Sequence, residues 1–215
     1  PVGLDPAVLG GDEAVEKLGE VLDHVVALGL AVHQDVQAEA FDWPVEFFRK
    51  RVWHVRRPVP EPAALQRAVS LIKSAKRPLI IAGGGTIYAG ASDELRALAT
   101  ATGIPVGDTQ AGKGAINFDH PSAVGGVGST GCDSGNHIAD KADLIIGVGT
   151  RYSDFTTASK TQFKNPDVSF VNINVAAFDA AKESAEMVVA DAREALARYF
   201  DGALRQAQAA LAEVA

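Results

Sequence analysis

The chain has 215 residues, of which 47% are hydrophobic and 22% are charged, and this balance excludes disordered, collagen-like and low-complexity proteins. Its 20 basic and 27 acidic residues give a formal net charge of −7, which argues against a protein that binds nucleic-acid backbones. No run of 18 apolar residues occurs, so we expect no membrane span. A single cysteine, Cys132, cannot form an internal disulfide and favours a reducing, cytoplasmic compartment.

Residues 1–61 are predicted to form an N-terminal flank and linker. Within residues 1–30, apolar residues recur at helical spacing and predict one helix that ends near Gly29. From residue 31 onward, prolines and exposed-type aromatic residues, among them Trp43-Pro44, predict an irregular arm. Two interpretations of that arm stay open, namely a linker that leads into the following domain or a segment packed on a neighbour.

From residue 62 to residue 215 the pattern is that of a regular domain ending in a C-terminal helix. We predict strands over 78–82, 104–106, 143–149, 170–175 and 187–190, and helices over 62–75, 92–102, 132–139 and from 191 onward. Short strands that are apolar throughout and alternate with helices indicate a parallel sheet covered on both faces. The predicted fold class is therefore α/β, a doubly wound, mostly parallel Rossmann-like sheet with helices on both faces. Ligands of such folds bind at the carboxyl ends of the strands.

Consecutive glycines, Gly83-Gly84-Gly85, end the first predicted strand. They match the first two positions of the dinucleotide fingerprint GxGxxG, but Tyr88 occupies the position of the third glycine. We also expect the next helix to begin only near Ser92, too late to face a pyrophosphate. The glycines therefore indicate either backbone contact with a ligand or a purely structural turn.

Gly149 and Arg151 follow the third long apolar strand. An arginine at a strand end can hold a phosphate or carboxylate through two hydrogen bonds, or it can pair with a loop acid such as Asp154. The glycine-rich stretch 106–135 predicts a ligand-facing or interface loop. It resembles a P-loop only superficially, because Gly114 stands where that motif has Ser or Thr.

No catalytic or metal-binding constellation is evident. The five histidines form no HxH or HExxH pair, and the sequence has no GxSxG nucleophile elbow. Cys132 lies near a predicted helix start, which lowers a thiol pKa, but it has no basic residue beside it in sequence, and a structural role is favoured.

Several motifs in this order resemble one known family. The segments Pro78–Gly85, Ile104–Val106, Asp119–Pro121 and Ala142–Arg151 are similar to the central domain of thiamine-diphosphate enzymes, which include acetohydroxyacid synthase and pyruvate oxidase. The resemblance covers about residues 60–200. Four further segments are most similar to the inositol-catabolic hydrolases that open the ring of trihydroxycyclohexane-1,2-dione: Phe41–Pro44, Arg151–Lys160, Asn165–Val168 and Phe170–Val175.

The resemblance implies a scaffolding role rather than catalysis by this chain. In the family, the glutamate that activates thiamine diphosphate lies in the N-terminal domain, and the GDG motif that holds diphosphate and magnesium lies in the C-terminal domain. This chain contains no Gly-Asp-Gly. We therefore expect its partners to be those two domains of the same enzyme, in a homo-oligomer, and expect the chain alone to be inactive. The alternatives are an acetolactate-synthase-like domain and a free-standing nucleotide-binding module.

The resemblance also implies where a nucleotide would lie. Flavin-using relatives bind FAD on this domain, and their contacts correspond here to Gly84, Gly85, Thr109, Gln110, Gly112, Gly128, Gly131, Gly149 and Arg151. Thr130, Ser153 and the strand end Asn172–Val175 depart from the flavin pattern, in which an acid normally binds a ribose hydroxyl. FAD is therefore not expected.

Overall fold

The computed structural model describes residues 38–40 and 42–199, in a chain that divides into two compact units at Trp53 and His54. The helix predicted within residues 1–30 lies outside the described residues. The described residues of the first unit are all exposed and contain a 3₁₀ turn at Val45–Phe48. There the Phe47 ring lies 4.8 Å from the ring of Trp43 and 5.5 Å from that of Phe48, measured between centroids.

The second unit contains a parallel sheet of six strands in the order β3-β2-β1-β4-β5-β6. The strands are β1 Pro78–Ala82, β2 Val106–Asp108, β3 Ala123–Gly126, β4 Leu144–Val148, β5 Ser169–Asn174 and β6 Glu186–Val189. This is the strand order of dinucleotide-binding folds, and it confirms the predicted α/β class.

Seven helices accompany the strands in the described part of the chain. They are α1 Pro62–Ser74, α2 Gly84–Tyr88, α3 Ser92–Thr102, α4 Asp133–Lys141, α5 Asp154–Thr157, α6 Ala177–Ala180 and α7 over 192–199. Two 3₁₀ turns, Gln110–Gly112 and Lys182–Ser184, lie between them. No helix in the described ranges is long and apolar enough to cross a membrane.

Alternate residues of the central strands form two cores, one on each face of the sheet. On one face, Ile80 and Ile146 pack against α1, α3 and α7, where Leu95 is fully buried. On the other face, Leu79 and Ile145 pack against α4 and the segment that follows β4. Burial of each such side chain contributes about 1.5–3 kcal/mol. The uninterrupted apolar character of β1 and β4 follows from this burial on both faces.

The helix after β1 begins earlier than expected. We expected it near Ser92, but α2 starts at Gly84, directly after the extended residue Gly83. Gly90, with a φ of +66°, then reverses the chain between α2 and α3. The helix predicted over 92–102 is present as α3, and what the sequence missed is the five-residue helix α2 that precedes it.

The strand β3 was not predicted, because its sequence Ala-Val-Gly-Gly has low strand propensity and lies in the glycine-rich stretch. It pairs with β2 alone and forms an edge of the sheet, with a shift of register between Val106 and Gly107. A Cβ at Gly107 would lie 2.6 Å from the Val127 side chain, so the glycine permits that approach. Part of the predicted loop is therefore an edge strand.

Candidate functional site

A cleft opens at the carboxyl ends of the strands, beside the point where the strand order reverses between β1 and β4. Its volume is about 600 Å³, within the range of small-molecule sites. Four connections line it: Gly84 and Gly85 after β1, Thr109–Ala111 after β2, Gly149–Arg151 after β4, and Asn174–Ala176 after β5. We call it the strand-end cleft, and its position is where open α/β sheets bind ligands.

The structure brings together six of the nine residues predicted for the site. Those that line the strand-end cleft are Gly84, Gly85, Thr109, Gln110, Gly149 and Arg151. Gly112 does not line it, because its α-carbon is pressed against β1, where a Cβ would lie 2.0 Å from the Ala82 carbonyl oxygen. Gly128 and Gly131 lie in the loop before α4, where Gly128 exchanges two hydrogen bonds with the Asn136 side chain.

The glycines at the ends of β1 and β4 pack against each other. A Cβ at Gly83 would lie 2.3 Å from the Gly149 carbonyl oxygen, and one at Gly85 would lie 2.7 Å from the Gly149 α-carbon. Gly149 itself has a φ of +60°, and the Gly85 amide donates to its carbonyl at 2.9 Å. These glycines therefore have a structural purpose that needs no ligand, since only residues without a side chain allow the two strand ends to approach so closely.

Two threonine hydroxyls form hydrogen bonds that hold the connections after β1 and β2 in place. The buried Thr86 hydroxyl donates to the Val148 carbonyl at 2.8 Å and ties α2 to the end of β4. The Thr109 hydroxyl accepts from the Gly112 amide at 3.1 Å and caps the turn Gln110–Gly112. Thr109 is thus a cleft-lining residue whose side chain already has a partner in the chain.

Arg151 is exposed at the mouth of the cleft. Among the residues that the structure describes, its guanidinium forms no salt bridge, either with Asp154 or with another acid. Its backbone carbonyl accepts from the Lys182 ammonium at 2.6 Å. Within the described part of the chain the salt bridge that the sequence left open is therefore not formed, and the exposed Arg151 lines the cleft with its five donors unpaired.

At the end of β5, Asn174 has both polar atoms occupied. Its Nδ2 donates to the Thr150 carbonyl at 2.9 Å, and its Oδ1 accepts from the Ala176 amide at 3.0 Å. In the flavin pattern, an acid at this strand end normally binds a ribose hydroxyl. Asn174 is neutral, 8% exposed and hydrogen-bonded within the chain, so this corner lacks that acid.

Around Gly147 in β4, two buried polar atoms have no hydrogen-bond partner among the residues that the structure describes, the Tyr152 hydroxyl and the Asn172 Oδ1. Both lie around Gly147, where a Cβ would be 2.3 Å from the hydroxyl and 2.9 Å from Oδ1. Burial, with a further contribution from the charge of Glu183, raises the pKa of the Tyr152 hydroxyl far above its usual range. The Tyr152 hydroxyl is therefore protonated at neutral pH. This pair could not be inferred from the sequence, because the two residues are 20 positions apart.

Sequence reasoning also missed the aromatic rim of the cleft. Tyr88 and Phe155 line it and are 86% and 57% exposed. Tyr88 was noted only as the residue that interrupts the glycine fingerprint. Its position at the end of α2 could not be inferred, because that helix was not predicted.

Cys132 is exposed and precedes α4 as its N-cap residue. A hydrogen bond to the Ser134 hydroxyl at 3.2 Å, aided by backbone hydrogen bonds, lowers the pKa of the Cys132 thiol. The side-chain hydrogen bonds of the thiol are made with this hydroxyl and two carbonyls, so no base activates it within the described part of the chain.

The described residues provide no metal centre. In the ranges that the structure covers, no group of three or more His, Cys, Asp or Glu side chains could hold an ion. Magnesium in phosphate sites is bound through one or two carboxylates together with the phosphate groups. The described residues therefore provide no metal site built from protein ligands alone.

Comparison with known proteins identifies the family to which this fold and cleft belong. Residues 65–199 match the family described as "Thiamine pyrophosphate enzyme, central domain". The chain belongs to this family. The central domain is thus the part of the chain that carries the six-stranded sheet and the strand-end cleft, and its family name implies thiamine diphosphate as the cofactor of the enzymes that contain it.

Two similar proteins are named for the same hydrolase activity. The chain is 51% identical over 175 residues to 3D-(3,5/4)-trihydroxycyclohexane-1,2-dione hydrolase 1 of Bacillus cereus, and 50% identical over 175 residues to the hydrolase of the same name, without the number, of Bacillus anthracis. Each alignment covers 81% of this chain and 27% of the relative, so the chain spans about a quarter of the proteins it matches.

A solved structure shows the same fold. An X-ray structure assigned to a thiamin diphosphate-dependent enzyme of Mycobacterium smegmatis superposes with a TM-score of 0.57 at 23% identity. It covers 70% of this chain, which in turn covers 30% of that protein. The likeness supports the predicted fold and, at this identity, nothing finer.

Proposed function

We propose that this chain is the central, non-catalytic domain of a thiamine-diphosphate-dependent carbon–carbon hydrolase that opens the ring of trihydroxycyclohexane-1,2-dione in myo-inositol degradation. The observation that carries the proposal is the 51% identity over 175 residues to a hydrolase of that name. The absence of a metal-binding group among the described residues supports a scaffolding role. Residues 62–215 form the domain in this proposal, and residues 1–61 form its flank and linker.

In the complete enzyme, the chemistry would lie outside this chain. The proposal assigns thiamine diphosphate and magnesium to the N- and C-terminal domains, which are the direct partners of this one in a cytoplasmic homo-oligomer. When bound, thiamine diphosphate supplies an electron sink for carbon–carbon bond cleavage. The residues described here would contribute a rigid sheet and the loops at its ends, held by the glycine contacts between β1 and β4.

The activity of the isolated chain tests this proposal. The 215-residue chain and the intact enzyme would be incubated with thiamine diphosphate, magnesium and the cyclic dione, and ring opening would be followed by loss of the substrate. We expect turnover by the intact enzyme and none by the chain. Ring opening by the chain alone, at a rate comparable with that of the intact enzyme, would refute the assignment of a non-catalytic domain.

The six residues that share the strand-end cleft are the ones we propose to contact a bound nucleotide, with the unpaired Arg151 guanidinium directed to its phosphates. Because Asn174 stands at a strand end where flavin relatives carry an acid for the ribose, we expect the cleft to contact the phosphates of a nucleotide rather than its ribose, and not to retain FAD. Titration with ADP and with FAD tests this: we expect saturable binding of ADP that Arg151→Ala weakens and Arg96→Ala, outside the cleft, does not. A yellow protein that retains FAD would favour the acetolactate-synthase alternative, and no ADP binding would refute the nucleotide contact.

A further inference from the structure

A second cleft lies at the opposite edge of the sheet, at the amino ends of β1 and β2. Its volume is about 500 Å³, and it is bounded by the turn before β1, the end of α3 and the last turn of α4. We call it the basal cleft. The residues that line it are Lys76, Arg77, Pro78, Thr102, Gly103, Ile104, Pro105, His137, Ile138 and Lys141.

Positive charge dominates the basal cleft. Three of its side chains are cations, Lys76, Arg77 and Lys141; a fourth, His137, is an imidazole; and no carboxylate lines it. In the described part of the chain, none of the three cations has a salt bridge or a side-chain hydrogen bond. Exposed cations do not need partners, but their convergence on one cleft raises the local potential and attracts anions.

Most other cations of the described chain are paired. Nine form salt bridges: Arg49, Arg57, Arg67, Arg96, Lys160, Lys164, Lys182, Arg193 and Arg198. With a formal net charge of −7, the chain has more than enough carboxylates to pair the rest. The unpaired charges of the basal cleft therefore do not result from a shortage of acids.

One carboxylate beside the cleft, that of Asp143, accepts hydrogen bonds from the backbone. Asp143, just before β4, accepts from the Lys76 and Arg77 amides, each at 2.9 Å, with one oxygen for each. These two bonds hold the turn that carries both cationic side chains. Even with the charge of Asp143 counted against the three cations, two positive charges remain uncompensated at the cleft.

The remaining lining favours a small ligand. Pro78, Ile104 and Pro105 give the basal cleft an apolar floor. The Thr102 hydroxyl is used within the chain, since it donates to the Leu98 carbonyl at 2.7 Å and accepts from the Ile104 amide. Polar recognition is therefore left to the cations. An arginine with two lysines is a set that binds phosphate and carboxylate groups, the arginine through two parallel hydrogen bonds.

We propose that the basal cleft binds a small oxyanion that carries at least two negative charges, of the phosphate or polycarboxylate class. Lys76, Arg77 and Lys141 contact the anion, and His137 lies beside it. The site is separate from the strand-end cleft and does not depend on the proposed enzymatic function.

Titration of the 215-residue chain with inorganic phosphate and, separately, with citrate tests the proposal. Binding would be followed by NMR through the imidazole C–H signals of His137. His120 is the internal control, because its ring contacts Thr100 and Ser122 elsewhere. We expect a saturable shift at His137 but not at His120, weakened by added sodium chloride. Saturation by one anion and not by the other assigns the ligand to the phosphate or the polycarboxylate class.

Matched variants identify the site. Lys76→Ala, Arg77→Ala and Lys141→Ala should each weaken binding by about threefold, as expected for exposed charge pairs, and the triple variant should lose it. Lys113→Ala, which removes another unpaired cation outside the basal cleft, should leave it unchanged. The three side chains are exposed, so thermal unfolding should show that the variants fold. Absence of saturable binding of both anions, or binding that persists in the triple variant, would overturn the proposal.

Discussion

Gly149 has both a left-handed backbone conformation and a close contact with another backbone, and substitutions at two glycines can separate these effects. Its φ is +60°, and a Cβ there would lie 2.6 Å from the backbone of Gly85. Gly103, which ends α3, has a similar φ of +69° but nothing within 4 Å of a Cβ. The left-handed conformation costs about 1–2 kcal/mol for an alanine at either position. The steric contact adds a further cost at Gly149 alone.

Gly149→Ala should therefore destabilise the domain more than Gly103→Ala. We expect the free energies of unfolding of the two variants to differ by about 1–3 kcal/mol, the usual cost of overpacking. The contact cannot be relieved by separating β1 and β4, because that would break the hydrogen bonds between the two strands. Urea unfolding of both variants and the parent chain measures it. Equal losses would show that the strand ends are not closely packed at this point.

The carboxylate of Asp143 links stability to pH. Partial burial alone would raise its pKa, but hydrogen bonds from the Arg77 and Lys76 amides, together with the charge of Arg77, hold the pKa below its usual value. A pKa that is depressed in the folded state contributes stability above the pKa of the unfolded chain, near 3.9. That contribution is lost as the pH falls through the folded-state pKa.

Asp143→Asn should thus cost about 1–2 kcal/mol at pH 7, because the amide nitrogen of asparagine cannot accept a hydrogen bond. The difference in free energy of unfolding between the variant and the parent chain should become smaller as the pH falls below 4. Denaturant unfolding at pH 7 and near pH 3 compares them. A gap that is independent of pH would mean that the charge of Asp143 has no part in holding the turn before β1.

Among the elements, α7 depends on one aspartate. Asp191 is buried immediately before this helix, and its Oδ1 accepts from the amides of Arg193 and Glu194. Its Oδ2 accepts from the Arg57 guanidinium at 2.9 Å. The same arginine donates to the Ala89 carbonyl, so residues of the predicted linker attach to the domain.

We expect Asp191→Ala to destabilise the domain by about 2–3 kcal/mol, since it removes a helix cap and leaves Arg57 without its carboxylate. Arg57→Ala is the matched variant, because it removes the ion pair and keeps the cap. Arg57→Ala should lower the free energy of unfolding by about 1 kcal/mol less than Asp191→Ala does. Thermal or urea unfolding ranks the two, and the reverse order would show that the cap contributes little.

How far the elements could be predicted depended on burial. β1 and β4 were predictable because they are covered on both faces and are apolar throughout. β5 was predictable from its buried residues Phe170, Val171 and Ile173, although Asn172 and Asn174 interrupt its apolar character. β3 was not, since an edge strand that contains two glycines carries no periodic signal. The second strand was expected at 104–106 and lies at Val106–Asp108, because Pro105 has no amide to join the ladder.

The site was predictable to a similar extent. The glycines and Arg151 at strand ends indicated the cleft, because the carboxyl ends of parallel strands share one edge of the sheet. The sequence could not show that Gly83, Gly85 and Gly149 contact one another, since that depends on the spacing between two strands about 65 residues apart. It also could not place Tyr88 and Phe155 on the rim.

At the scale of the whole molecule, the central claim is that this chain works only as one domain of a longer enzyme. The relatives that share 50–51% identity with it are about four times longer than the aligned segment. This difference in length supports the view that the central domain is one part of a longer protein.

The size of the native polypeptide tests this claim most directly. An antibody raised against the chain would be used to probe a blot of the source cells. We predict a band of about three times the 22.4 kDa mass of this chain, as expected from the length of the related hydrolases. A band at the mass of the chain itself would contradict the claim and would favour a free-standing nucleotide-binding module.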